Sequence, residues 1–143
     1  MNKKLLAIMM IILLAIAALG TAAFFVIKGN ASEKDTKKEP TIDEVVESSV
    51  AIDEITTNLK SDNYVRLSIK LETDSKIAKE ELEKRDFQIK DTVISLLGNM
   101  TADQMDGEKG REAFKKELKD KLNSEYMKEG KVKKVYITSF NLQ

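Results

Sequence analysis

Hydrophobic and polar positions separate along this chain into blocks of different character. From Leu5 to Ile27 (LLAIMMIILLAIAALGTAAFFVI) no residue is charged, and from Lys28 to Thr41 (KGNASEKDTKKEPT) there is no Ile, Leu, Val or aromatic side chain. Beyond Thr41 the apolar residues return at periodic spacings. The 23 residues of the first block would extend about 35 Å as a helix, enough for a hydrocarbon core of about 30 Å with some tilt. A helix also satisfies every backbone N–H and C=O internally, which the bilayer interior requires. Lys3 and Lys4 precede the block and Lys28 ends it. A cleaved signal peptide shares these features and would find a small-x-small site at Ala18-Leu19-Gly20. The run through Phe24, Phe25, Val26 and Ile27 continues past such a cut and favours an uncleaved signal-anchor.

The expected organisation is therefore a tail over residues 1–4, a transmembrane helix over 5–27, a flexible charged tether over 28–40 and one domain over 41–143. Charge counting does not orient the span, because Lys28, Lys34, Lys37 and Lys38 oppose Lys3 and Lys4. A four-residue tail ahead of a long folded domain favours a cytoplasmic N-terminus and an extracytoplasmic C-terminal domain. The polar block cannot bury enough apolar surface to offset its ordering entropy, and as a flexible chain it would reach about 20 Å. Within the span, Ala15, Ala18 and Ala22 share a stripe, but without a GxxxG pattern it reads as ordinary membrane-helix composition.

In the domain, Tyr64–Thr73 (YVRLSIKLET) alternates strictly, with Val65, Leu67, Ile69 and Leu71 on one face and Arg66, Ser68, Lys70 and Glu72 on the other. That pattern predicts a half-buried strand. Residues 51–59 (AIDEITTNL) are its expected hairpin partner through the polar connection Lys60-Ser61-Asp62-Asn63. Asp74 or Ser75 would cap a long helix with Ala78, Leu82, Ile89, Val93, Leu96 and Leu97 on its buried face, stopped by Gly98-Asn99. Thr101 and Gln104 form a capping-box pattern ahead of one short helical turn ended by Gly107. A second long helix is predicted from Arg111 to about Tyr126, with Phe114, Leu118 and Leu122 inward. Gly130 precedes a final strand, Val132–Leu142, whose apolar residues occupy both parities: Val132, Tyr136, Phe140 and Leu142 against Val135 and Ile137. Read as simple alternation, this is a strand covered on both faces, with Tyr136 and Phe140 sharing one of them. The order ββααβ predicts an α+β domain with helices packed on one face of a small sheet.

Composition narrows the chemistry. There is no Cys, His or Trp, which removes thiolate and imidazole catalysis, disulfides and Cys/His zinc sites from within the chain. Lys and Arg number 24 against 24 Asp and Glu, so no overall basic field exists for nucleic acid. The carboxylates alternate with lysines along the helices, as in Glu83-Lys84-Arg85-Asp86, the pattern of a solvated face with i, i+4 pairs. Residues 103–107 lack the oxygen-ligand spacing of a calcium loop, and no glycine pattern supports a phosphate cradle. No catalytic, cofactor-binding or metal-ligating residue is expected, and no small-molecule substrate. Tyr136 and Phe140 are the candidate interaction residues, because an apolar two-faced strand at a chain end must be covered twice, by its own helices and a neighbour or second layer. The alternative is one helix pair with residues 41–50 covering both faces within a monomer.

The order of elements, with three stretches of sequence, resembles the FliL family of flagellar basal body-associated proteins. The stretches are Ile55-Thr56-Thr57-Asn58-Leu59 leading to Leu71-Glu72-Thr73-Asp74, then Arg85-Asp86-Phe87-Gln88-Ile89-Lys90-Asp91, and Gly130-Lys131-Val132 running through Val135-Tyr136-Ile137-Thr138-Ser139-Phe140 to Gln143. The resemblance implies a non-enzymatic inner-membrane protein without cofactors, whose outer domain is similar to the stomatin/prohibitin domain. It further implies a homo-oligomeric ring around the motor stator at the basal body, supporting rotation, swimming, swarming and chemotaxis. The alternative is a membrane-anchored extracytoplasmic adaptor unrelated to flagella.

The uncharged block generates the first prediction. Leu14→Arg should add about 3 kcal/mol at the centre of the span and deplete the protein from the membrane fraction. Wild-type protein recovered in the medium and beginning near Thr21 would instead identify a cleaved signal peptide.

Overall fold

The computed structural model describes residues 7–10, 12 and 39–143. The expected tail (1–4) and most of the span (5–27) and tether (28–40) lie outside the described residues; positions 7–10 and 12 are helical. Among the described residues no helix is long and apolar enough to cross a membrane. Pro40–Gln143 forms one compact unit.

This unit is α+β, with a three-stranded antiparallel sheet of order β1-β2-β3. A short helix α1 (Ile42–Glu47) opens it, with Thr41 and Glu44 forming a reciprocal capping box. Strand β1 (Ser49–Asn58) then turns into β2 (Tyr64–Thr73). The hairpin tip holds Asp62 in the left-handed region at φ 61°. It is tied to the helix layer, because Lys60 N–H donates to the Met100 carbonyl at 2.9 Å and Ala102 N–H to Ser61 Oγ at 2.8 Å. The alternation of β2 translates directly into burial: Val65, Leu67 and Leu71 are 0% exposed and Ile69 1%.

The expected single helix after β2 is two helices, α2 (Lys76–Lys84) and α3 (Asp86–Gly98), broken at Arg85. Ser75, not Asp74, caps α2, with its Oγ accepting from Ala78 N–H at 3.1 Å. Leu82 and Ile89 lie seven positions apart, two full turns, so the apolar pattern runs through the break without registering it. Ala78, Leu82, Ile89, Val93, Leu96 and Leu97 are all buried, as the pattern requires. The Thr101 capping box opens α4 (Ala102–Met105). Helix α5 (Glu108–Lys121) begins before the predicted Arg111. Gly110 makes this possible, since a Cβ there would collide with the Gln104 carbonyl where α4 crosses α5. Leu122–Tyr126, expected as α-helix, winds as a π-helical turn. That turn aims the Asn123 amide at the start of β3 (Val132–Leu142): Oδ1 accepts from Val132 N–H at 2.7 Å, and Nδ2 donates to its carbonyl at 2.9 Å.

The two-faced reading of β3 is corrected by its register. Val132, Val135, Ile137, Phe140 and Leu142 stand opposite Thr73, Leu71, Ile69, Leu67 and Val65 of β2, with register shifts between Val132 and Lys134 and between Ile137 and Ser139. Each shift is a bulge that inserts one residue and reverses the alternation. These five residues, drawn from both parities, therefore reach the same, helix-covered face. Tyr136 stands opposite Lys70 on the other face, so Tyr136 and Phe140 do not share a face. A third shift, between Ile52 and Ile55, does the same for β1 and keeps Val50, Ile52 and Ile55 all inward.

The covered and open faces should respond unequally to substitution. Leu67→Ala removes a fully buried side chain and should cost about 2–5 kcal/mol. Arg66→Ala, whose partner Glu54 lies 3.5 Å away with both side chains about half exposed, should change stability by less than about 0.5 kcal/mol. Urea unfolding of the two variants checks this, and equal destabilisation would overturn the face assignment.

Candidate interaction surface

Strand β3 lies at one edge of the sheet, and the helices cover one face only. The two expected interaction residues occupy different surroundings on this strand. Tyr136, half-buried, donates its hydroxyl proton to Glu72 Oε2 at 2.6 Å. Lys133 Nζ approaches Glu72 Oε1 at 3.4 Å, and the Lys134 ammonium lies 5.0 Å from the Tyr136 ring centre. Glu72 is thus a buried carboxylate with two partners on the otherwise open face. Its acceptance of the phenolic proton, with burial and its negative charge, pushes the Tyr136 pKa up from 10.0 to about 12.

Phe140 packs its inner side on the core and carries the Arg111 guanidinium 5.3 Å from its ring centre. Between α5 and the outer edge of β3 runs a groove of about 380 Å³ along Ile137–Phe140, walled by Glu108, Arg111, Glu112 and Lys115. A second groove of about 410 Å³ shares Glu112 and Lys115 and extends past Lys116 and Lys119 to Lys133–Tyr136. Together they make a long trough with cations in excess along the outer edge of β3.

The loop leading into β3 is fixed by a carboxylate that sequence patterning had placed on a solvated helix face. Glu81 accepts from the backbone N–H groups of Glu129 and Lys128, each at 2.9 Å, and from Arg85 Nη2 at 2.8 Å. The Glu129 amide first, then the Lys128 amide and Arg85, hold its pKa near 2. Gly130 follows at φ 156°, where a Cβ would come within 2.5 Å of Asp74 Oδ1 and 2.7 Å of Ala78 Cβ. Asp74 Oδ1 in turn accepts from Lys131 N–H at 3.1 Å. Other helix charges form the expected i, i+4 pairs, such as Lys90–Asp86 and Lys116–Asp120, both at 2.7 Å.

Sequence patterning missed a second exposed feature: Phe87 and Ile94 of α3, 70% and 44% exposed, lie seven positions apart on one helix face. Among the described residues no group of three or more His, Cys, Asp or Glu is placed to hold a metal.

Comparison with known proteins assigns these features a context. The family model described as flagellar basal body-associated protein FliL matches residues 49–143. A flagellar protein FliL of Bacillus subtilis is 66% identical over 143 residues, covering the whole of both chains. A flagellar protein FliL of Aquifex aeolicus is 32% identical over 80 residues, 56% of this chain and 49% of that protein.

The Tyr136–Glu72 contact gives a pH prediction with a definite sign. The folded pKa of about 12 exceeds the ordinary 10.0, so the contribution to stability is complete below pH 10 and is lost as pH rises through the folded value. Glu72→Gln should bring the Tyr136 titration back toward 10.0, followed by ultraviolet absorbance of the phenolate. An unchanged titration would show that Glu72 does not hold the proton.

Proposed function

The chain belongs to the FliL family of flagellar basal body-associated proteins, and from that membership we propose that it serves the flagellar motor as a non-enzymatic protein of the bacterial inner membrane. In this reading residues 1–4 are cytoplasmic, 5–27 cross the membrane once, 28–40 tether, and 41–143 stand outside the cytoplasm. The domain, stomatin/prohibitin-like in architecture, assembles as a ring of copies beside the stator and supports rotation in swimming, swarming and chemotaxis.

The observation that carries the proposal is the family match over residues 49–143, which contains every strand of the sheet and every helix packed on it except α1. The end-to-end identity with the Bacillus subtilis protein supports extending it to the uncharged N-terminal block. An edge strand beside an open trough also suits a protein that works by contact. Anchoring supports assembly as well, since confinement to a membrane raises the effective concentration and lets a weak contact suffice.

A deletion strain tests the reading. Swimming and swarming should fall, the full chain should restore them, and residues 41–143 without the span should not. In intact cells the chain should crosslink to stator proteins. Unaffected motility together with no stator crosslink would remove the motor role.

A further inference from the structure

We infer that successive copies of this chain join edge to edge, the outer edge of β1 in one copy pairing with the outer edge of β3 in the next to continue the sheet. This rests on the self-assembly proposed above and specifies the surfaces that would carry it. Among the described residues, the sheet order β1-β2-β3 leaves both outer strands unpaired on one side. Thr73 N–H bonds to the Ser48 carbonyl at 3.0 Å and Leu59 N–H to the Asn63 carbonyl at 2.8 Å. These bonds fix which residues of β1 bond inward, and by alternation the backbone groups of Ala51, Thr56 and Asn58 point away from β2. At the other edge, Gln143 and Tyr64 exchange two bonds of 2.8 Å. The same alternation, adjusted for the bulges, turns the backbone of Val135, Ile137, Phe140 and Leu142 outward, the first three of them beside the trough along α5. Among the described residues, Val132 alone has its outward groups occupied, by the Asn123 amide, which closes one end of the edge and leaves the rest open.

Charge selects which edges can meet. Strand β1 carries Asp53 and Glu54 and no cation; β3 carries Lys133 and Lys134 and no anion. The trough adds Lys115, Lys116 and Lys119 on the β3 side. Two β3 edges repel, as do two β1 edges, whereas β1 and β3 attract. Both outer strands run antiparallel to β2 and hence in the same direction. A copy held in the same orientation by its membrane anchor therefore brings its β1 alongside β3 in parallel. Because each such contact uses one edge of each type, every copy retains a free edge for another, the arrangement that builds rings or open arrays rather than closed dimers.

The chain has no cysteine, so introduced thiols report without background. Thr56→Cys and Ser139→Cys lie on exposed strand positions at the two edges, which pairing would bring to about 5 Å between strands. With the full chain in its membrane, a short bismaleimide should convert the double variant into a ladder of multimers, while each single variant stays monomeric. Lys134→Glu should erase the ladder, and adding Asp53→Lys should restore it. Crosslinked dimers from either single variant alone would overturn the inference in favour of like-edge pairing. No ladder from a chain that still sediments as an oligomer would overturn edge pairing and leave self-assembly standing. A monomeric wild-type chain in the same membrane would overturn both.

Discussion

One constraint organises this domain: a three-stranded sheet with helices on one side can bury only one of its faces. Every large aliphatic side chain of the strands has to reach that face, and the opposite face has to remain compatible with water. Strand β2 meets the requirement by simple alternation, its inward residues Val65, Leu67, Ile69 and Leu71 being almost wholly removed from solvent. The outer strands meet it with bulges, which spend a residue to change the direction of those that follow. The helix layer then completes the core, with Phe114, Leu118 and Leu122 of α5 and the π-helical turn, and Ile89, Val93 and Leu97 of α3, fully buried.

The same constraint sets where the sequence is legible. The bounds of β2 and β3 follow from their patterns, because composition and turn residues mark strand ends. Which way each β3 side chain points does not follow, because a bulge is a backbone event that changes parity without a distinctive side chain. Simple alternation therefore makes Tyr136 and Phe140 neighbours on one face, and the structure separates them. Arg85 is illegible for a related reason: the helix break falls inside an interval of two whole turns, so the buried stripe continues in phase across it. Glu81 looks like one more surface carboxylate in a charged helix, and only the fold brings the amides of Lys128 and Glu129 to it.

In this member of the FliL family, the grooves beside β3 set a strand edge against a helix lined with cations. The long trough beside β3 is bordered by cations, and among the described residues the strand edge within it is closed only where Asn123 mimics a pairing partner. The loop before β3 is held by Glu81 and Asp74, two side chains from the far side of the sequence, so the edge is presented by a fixed entry rather than by a loose connection.

The bulges in β3 also give the strand something like a reading frame. Loss of one residue near Thr138 would erase the bulge and leave Phe140 and Leu142 still opposite Leu67 and Val65, now by simple alternation. One residue added to a regular stretch would instead turn everything beyond it from one face to the other, until a compensating deletion restored the phase. Substitutions along this strand are thus local events, whereas an insertion away from a bulge propagates along it. Length variation in relatives of this domain should accordingly be confined to the loops and the bulges, or arrive elsewhere in β3 as balanced pairs.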